Sequence, residues 1–222
     1  MPFSSGFPSR PDDGDLVKLY RKEKERNRVG FGSLLLFSLN LRDQIRGAKE
    51  NVPVEIQFIS DGSSHAKENL MNGGNLNAEI FEGRLRKGDS CCTASFTGEI
   101  ISYCWVATDA AYVGEIDMKI RLKSGELYLY DAFTKPEHRG NGLFPRILTA
   151  ILRYGRENGY QRALIFTLSS NNSSITAIKK VGFEPFQSAY FLDIYGKTFC
   201  RFGRARNGES DIEEQFVRQM GI

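Results

Sequence analysis

The sequence predicts an α/β fold in which helices flank a mixed β-sheet. Three observations carry this prediction. Residues 126–134 (ELYLYDAFT) read as a strand, and an amphipathic helix follows at about 143–158. The next segment, 163–169 (ALIFTLS), is a near-continuous apolar run of the kind found in strands covered on both faces. A strand, a crossover helix and a second strand in that order are expected to pair in parallel. Elsewhere TGE sits between SCCTASF and IISYCWVAT, a hairpin signal that adds antiparallel strands and makes the sheet mixed.

Each element follows from local pattern. Residues 1–14 are rich in Pro, Gly, Ser and Asp and are expected to be disordered. Residues 16–28 suit a weakly amphipathic helix, 33–41 a strand with apolar residues on both faces, and 54–60 (VEIQFIS) a half-buried strand. From 63 to 88 the pattern is helical and polar, broken by NGGN at 72–75 into two short helices. In the helix beginning near Leu143, an apolar stripe runs through Phe144, Ile147, Leu148, Ile151 and Leu152. Pro145 suits its first turn, and Gly159 lies just past its end. A second helix is expected at about 173–181, stopped by Gly182, and a hairpin turns around Tyr195, Gly196 and Lys197. The pattern Ser210 to Glu213 resembles a capping box, so a C-terminal helix is expected, docking through Ile212, Phe216 and Met220. The resulting division is a tail with a possible helix at 1–32, a main domain at 33–203 and a helical extension at 204–222.

Composition narrows the function classes. The chain has 222 residues, 41% of them hydrophobic, enough for one large domain. A net charge of +3 argues against nucleic acid. The densest basic run, 18–28, holds six cations against two anions and reads as a solvated helix face. Cys91, Cys92, Cys104 and Cys200 form no CxxC pair, and His65 and His138 stand apart from them, so no metal site is expected. No apolar run approaches the ~20 residues of a membrane span, and the N-terminus lacks a secretory pattern. Cytoplasmic thiols are the expectation.

The corner between the two central strands carries the chemistry. EHRGNGLF (137–144) places two glycines and an arginine where a helix begins. Backbone N–H groups at a helix start lack intrahelical partners and point along the positive end of the dipole. Gly140 and Gly142 bring no side chains to block an anion, and Arg139 adds a forked cation. Such a corner suits a pyrophosphate. It is neither a P-loop nor a dinucleotide fingerprint, because GxxxxGK[ST] is absent and GNGLFP lacks a third glycine.

Together with RALIFTLSSNNSSITAIKKVGFEPF, this corner resembles the GNAT superfamily of acyl-CoA N-acyltransferases. Arg139, Gly142 and Phe144 occupy its Arg/Gln-x-x-Gly-x-Gly/Ala positions, and Asn171, Ser174, Gly182 and Phe183 fit its later Asn-containing helix. The detailed resemblance covers about residues 126–186. It implies a central sheet splayed after the strand 126–134, with acetyl-CoA or another acyl-CoA as donor and no metal. The pantetheine arm would pair with backbone at Phe133 and Thr134. The pyrophosphate would rest on the amides of Gly140, Asn141, Gly142, Leu143 and Phe144. Asn171 would contact the arm, with Ser174 nearby. Two departures stand out: Phe144 replaces the usual small residue, and Ile178 stands where many members have a tyrosine that protonates the leaving thiolate.

Acyl transfer to an amine needs a base, a polarised carbonyl, alignment and a proton for sulfur. Asp131, inside the aromatic strand YLYDAF, reads either as that base or as a structural carboxylate. Strict alternation places it with Leu129 and Phe133, opposite Tyr128 and Tyr130, unless a bulge intervenes. Tyr130 is a candidate acid in place of the missing tyrosine, as are Tyr190 and Tyr195. Glu126 is a weaker base candidate, expected to be a solvated edge residue. Phe96, Tyr103, Trp105 and Tyr112 are candidates for an acceptor pocket, or for hairpin core. The resemblance therefore implies acetyl transfer to a primary amine of a small or amino-acid-like acceptor. A longer-chain transferase fed by an acyl carrier protein and a catalytically silent CoA-binding module remain as alternatives, and a homodimer is left open.

Overall fold

The computed structural model describes residues 29–47, 52–60, 78–195, 197–206 and 211–218. The expected N-terminal tail and helix lie outside these residues, as do the first of the two short helices in 63–88, Ser210 and Met220. Eight strands form the main sheet: β1 (Val29–Asn40), β2 (Glu55–Ile59), β3 (Ser90–Phe96), β4 (Glu99–Ala107), β7 (Glu126–Thr134), β8 (Arg162–Leu168), β9 (Glu184–Ile194) and β10 (Lys197–Phe202). Their order is β10-β9-β1-β8-β7-β4-β3-β2. A second sheet, ordered β11-β6-β5, joins β5 (Ala110–Val113), β6 (Met118–Arg121) and β11 (Phe216–Arg218). The helices are α1 (Ala78–Lys87), α2 (Leu143–Glu157) and α3 (Asn172–Lys180).

Three apolar clusters hold these layers. The largest joins one face of the main sheet to α2 and α3, through Phe37, Leu127, Leu129, Ile165, Ile147, Ile151 and Phe183. The stripe read from the sequence is what α2 buries: Ile147, Leu148, Ile151 and Leu152 are all fully covered. At such burial each contributes about 1.5–3 kcal/mol. On the opposite face the small sheet covers Leu34, Leu36, Tyr128 and Leu164 with Val113, Ile116, Ile120 and Phe216. A third cluster seats α1 on the hairpin through Phe81, Cys91, Tyr103 and Trp105. Cys91 and Cys92 fall into different clusters, as alternation along a strand requires.

The C-terminal helix does not form within the described residues. Residues Glu213–Gln215 make a single 3-10 turn, and Phe216–Arg218 then pairs antiparallel with β6. Ahead of this turn, Asp211 Oδ1 accepts from the Glu213 N–H at 2.9 Å. Buried Gln187 fixes this segment, donating to Asp211 Oδ1 and Gly203 O and accepting from the Ile212 N–H. Ile212 and Phe216 are buried as expected, by strand pairing and the small sheet.

Candidate active site

Strands β7 and β8 are the parallel pair among the described strands, with Glu126 to Leu129 matched to Arg162 to Ile165. Past Leu129 and Ile165 the pairing stops while both strands continue, so the sheet opens there. The closed end is locked by Arg162, whose Nη1 lies 3.2 Å from Glu126 Oε1, with the Lys123 N–H on Glu126 Oε2 at 2.9 Å. Glu126 is therefore a buried structural carboxylate, neither the solvated edge residue nor the base considered from sequence.

At the opening β7 carries a bulge. Tyr103 faces Phe133 and Trp105 faces Tyr130, so Asp131 and Ala132 oppose Cys104 alone. Asp131 takes a left-handed φ of 45°, which aspartate tolerates better than most residues. The extra residue resets the alternation. Asp131 forms an ion pair with Arg84 of α1, and Arg84 lies over the rings of Trp105 and Tyr130 at 5.0 and 4.9 Å. Asp131 thus shares a face with Tyr130 and turns away from Leu129, the reverse of strict alternation.

On the α2/α3 side of the opening lies a groove of about 670 Å³. Phe133, Thr134, Arg139, Gly140, Gly142, Leu143, Phe144, Asn171 and Ser174 all line it. Of the corner residues named from sequence, Asn141 stands aside, its Nδ2 donating to His138 O at 3.2 Å. Gly142 caps α2 with a φ of 74° and no side-chain cap, which leaves the first-turn amides to the groove. The Phe144 ring packs on the main core, so the bulk of its side chain leaves the corner open. Arg139 is aimed by its own Nε, which donates to Thr134 O at 3.0 Å, while Ser102 Oγ bonds Phe133 O at 2.8 Å. Asn171 caps α3, its Oδ1 accepting from the Ser174 N–H and near Ser173 Oγ.

Sequence reading placed His138 at the corner as a surface histidine, and it lines this groove; Thr176 and Lys180, which also line it, were missed. Ser173, Thr176, Ala177 and Lys180 follow i, i+3, i+4, i+7 spacing and form the groove face of α3, a periodicity that could have exposed them. With His138, Arg139 and Lys180 present and no carboxylate in the lining, the groove favours an anion. Ile178 points the other way, into the core, with 1% exposure.

On the other side of the sheet, next to the bulge, is a cavity of about 360 Å³. Its walls include Tyr112, Tyr128, Tyr130 and Phe166, with Glu115 and Asp131 as carboxylates and Arg84 as the cation. Of the aromatics proposed for an acceptor pocket, Tyr112 is placed here; Trp105 and Tyr103 are buried in the hairpin core, and Phe96 lies at the hairpin end beside His138. Tyr190 and Tyr195 are exposed on β9 and the turn after it and line neither space. Behind Tyr130 lies a residue that sequence did not flag. The Tyr130 hydroxyl donates to Asp89 Oδ2 at 2.5 Å, and Lys87 Nζ sits 2.9 Å from the same oxygen. Burial raises the Asp89 carboxyl above the usual range, against the opposing pull of Lys87, the Tyr130 hydrogen bond and Arg84. The thiols are silent by the same physics. Burial pushes Cys92 up to about 12 and Cys91 and Cys104 well above the usual thiol range.

A sheet opened beside a glycine-capped helix, with a cationic groove at the mouth, suits a ligand that carries an anionic group. The chain belongs to the acetyltransferase (GNAT) family, whose sequence model matches residues 65–183. Human N-acetyltransferase 8B is 27% identical over 114 residues, covering 48% of this chain and 49% of that protein. The chain thus spans about half the length of that curated relative. Among solved structures, a GCN5-related N-acetyltransferase from Sphaerobacter thermophilus superposes with a TM-score of 0.53 at 11% identity, over 82% of this chain and 56% of that one. A GNAT-family acetyltransferase from Colwellia psychrerythraea gives 0.51 at 12% identity, over 78% and 60%. At these identities the two structures establish the fold. Among the described residues no helix is long and apolar enough to cross a membrane, and no cluster of potential metal ligands occurs.

Proposed function

We propose that this chain is an acyl-CoA-dependent N-acyltransferase that moves an acetyl group to a primary amine of a small or amino-acid-like acceptor. The observation that carries the reading is the meeting of two unlike spaces at one bulge. Asp131 lines the acidic aromatic cavity, and its neighbour Ala132 lines the cationic groove. A donor laid along the groove would rest its pyrophosphate on the first-turn amides of α2, with Arg139 and Lys180 supplying charge. Its arm would run through the opening along Phe133 and Thr134, past Asn171 and Ser174, bringing the thioester to the bulge. An acceptor in the cavity would bring its reacting ammonium to Asp131, which docks the charge, beside Tyr130.

Direct transfer fits the thiols. Burial holds the protons of Cys91, Cys92 and Cys104, Cys200 is pushed up to about 11, and none of the four lines the groove or the cavity, which favours direct transfer over a cysteine acyl-enzyme. The amine attacks the thioester carbon, and the carbon–sulfur bond breaks. The test is thiol release from acetyl-CoA with a panel of primary amines. Amine-dependent release supports the reading. CoA binding with no amine-dependent release would make the chain a silent binding module.

A further inference from the structure

We propose that buried Asp89, reached through the hydroxyl of Tyr130, takes up the proton that the acceptor's ammonium must lose before attack. This rests on the amine acylation proposed above and assigns its proton path. Tyr130 lines the acceptor cavity, and Asp89 does not reach it; the link is the hydroxyl donated to Asp89 Oδ2. Asp89 is 3% exposed and sits where α1 gives way to β3. Asp131, the carboxylate at the bulge, stays on the cavity wall in its ion pair with Arg84 and docks the acceptor's cation there.

The step balances. An ammonium proton passes to the Tyr130 oxygen as the tyrosine's own proton moves to Asp89, leaving a neutral amine and a neutral acid. The amine's lone pair attacks the thioester carbon. As the carbon–sulfur bond breaks, the nitrogen sheds a second proton, which ends on the thiolate. Asp89 later returns the first proton to solvent, so each turnover releases one proton with one CoA thiol.

The surroundings suit this role. Asp89 faces Lys87 and Arg84 from α1 and Tyr130 from β7; Tyr130 in turn faces Arg84, stacks on Tyr128 and adjoins Asp131. Burial raises the Asp89 carboxyl and so makes it a stronger base than an exposed aspartate, while Lys87, the Tyr130 hydrogen bond and Arg84 oppose that rise. Acidification through that raised range would protonate Asp89 and close the path, giving an acid limb in kcat/KM.

The experiment follows kcat/KM against pH with tyramine, benzylamine and butylamine as acceptors and acetyl-CoA as donor. Wild type is expected to show a plateau above its acid limb. Asp89→Asn keeps shape and a hydrogen-bond acceptor but not basicity, so the plateau should vanish. Only amine already neutral in solution then reacts, and the rate climbs steadily with pH. At neutral pH the loss should be roughly 10²-fold, with CoA affinity by calorimetry within twofold of wild type. Tyr130→Phe keeps the ring over Arg84 and should give the same profile; the double variant should lose no more than either. If Asp89→Asn fails to fold, Tyr130→Phe decides alone. A plateau retained at reduced height in folded variants would overturn the relay and leave the acyltransferase reading standing. Wild-type protein with no amine-dependent thiol release at any pH would overturn both.

Discussion

The groove and the cavity on either side of the bulge are built by different means. The groove is mostly backbone and corner: the segment from Ala132 to Pro145, around Gly140 and Gly142, contributes most of its lining, and one short helix closes it. The cavity is assembled from side chains far apart in sequence, from Leu34 of β1 through Arg84 of α1 and Tyr112 of β5 to Phe166 of β8. A backbone site needs a fixed local conformation and so leaves a motif. A side-chain site needs only the right neighbours after folding, and its sequence can drift.

The sharpest way to break the comparison is Gly142→Val. A β-branched residue at φ 74° is strained, at about 1–2 kcal/mol, and it crowds amides expected to contribute about 1.5–3 kcal/mol through charge-assisted bonds. CoA affinity measured by calorimetry should fall by up to about 10²-fold. The cavity should be untouched, so the acceptor's KM at saturating donor should hold. Unchanged CoA affinity in the folded variant would sink the corner assignment.

The converse variant is Asp131→Asn. It should raise the acceptor's KM by about 10–100-fold through loss of one charge-assisted contact and leave CoA binding alone. It also leaves buried Arg84 without its anion. Since Asp131 is 38% exposed, that cost should fall below the ~3–5 kcal/mol of a fully buried pair, and melting temperature reads it. Lowered stability with normal kinetics would make Asp131 purely structural.

Ile178→Tyr tests whether the family's usual acid can be restored. Because Ile178 is packed against Phe183 and the main core, the larger ring should cost roughly 1–3 kcal/mol in chemical denaturation and gain no rate. A faster enzyme would mean that the helix can turn this position toward the thioester. The smallest effect belongs to Arg139→Ala. Its guanidinium is exposed and its Nε already tied to Thr134, so CoA affinity should fall about tenfold, and less at high salt. A salt-independent loss would point to lost corner geometry instead of lost charge.

Legibility in the sequence followed the same division. The parallel pair, its crossover helix and the corner were readable because apolar period, glycine position and helix start coincide within sixty residues. The bulge was not, since Asp131 and Ala132 are ordinary residues whose pairing with Cys104 is fixed by the partner strand. Asp89 followed Gly88 like any loop acid, and only the arrival of Tyr130, 41 residues later, gives it a role. Strands β5 and β6 are four residues each, too short for a periodic signal. The C-terminal segment misled because Ile212 and Phe216 suit one helix face as well as they suit the small sheet. Pairing with β6 overrode helix propensity there.

The early end of the β7–β8 pairing has a further consequence. A continuous sheet has two edges; this one, interrupted after Leu129 and Ile165, has four. The inner two expose strand N–H and C=O groups that other proteins protect from stray pairing by charge, proline or a covering helix. Here the two inner edges face each other across the opening, with Asp131, Ala132 and Leu168 exposed, so the gap admits a narrow guest between them. Occupancy would show as slowed hydrogen exchange at residues 130–134 and 166–168 when CoA is added.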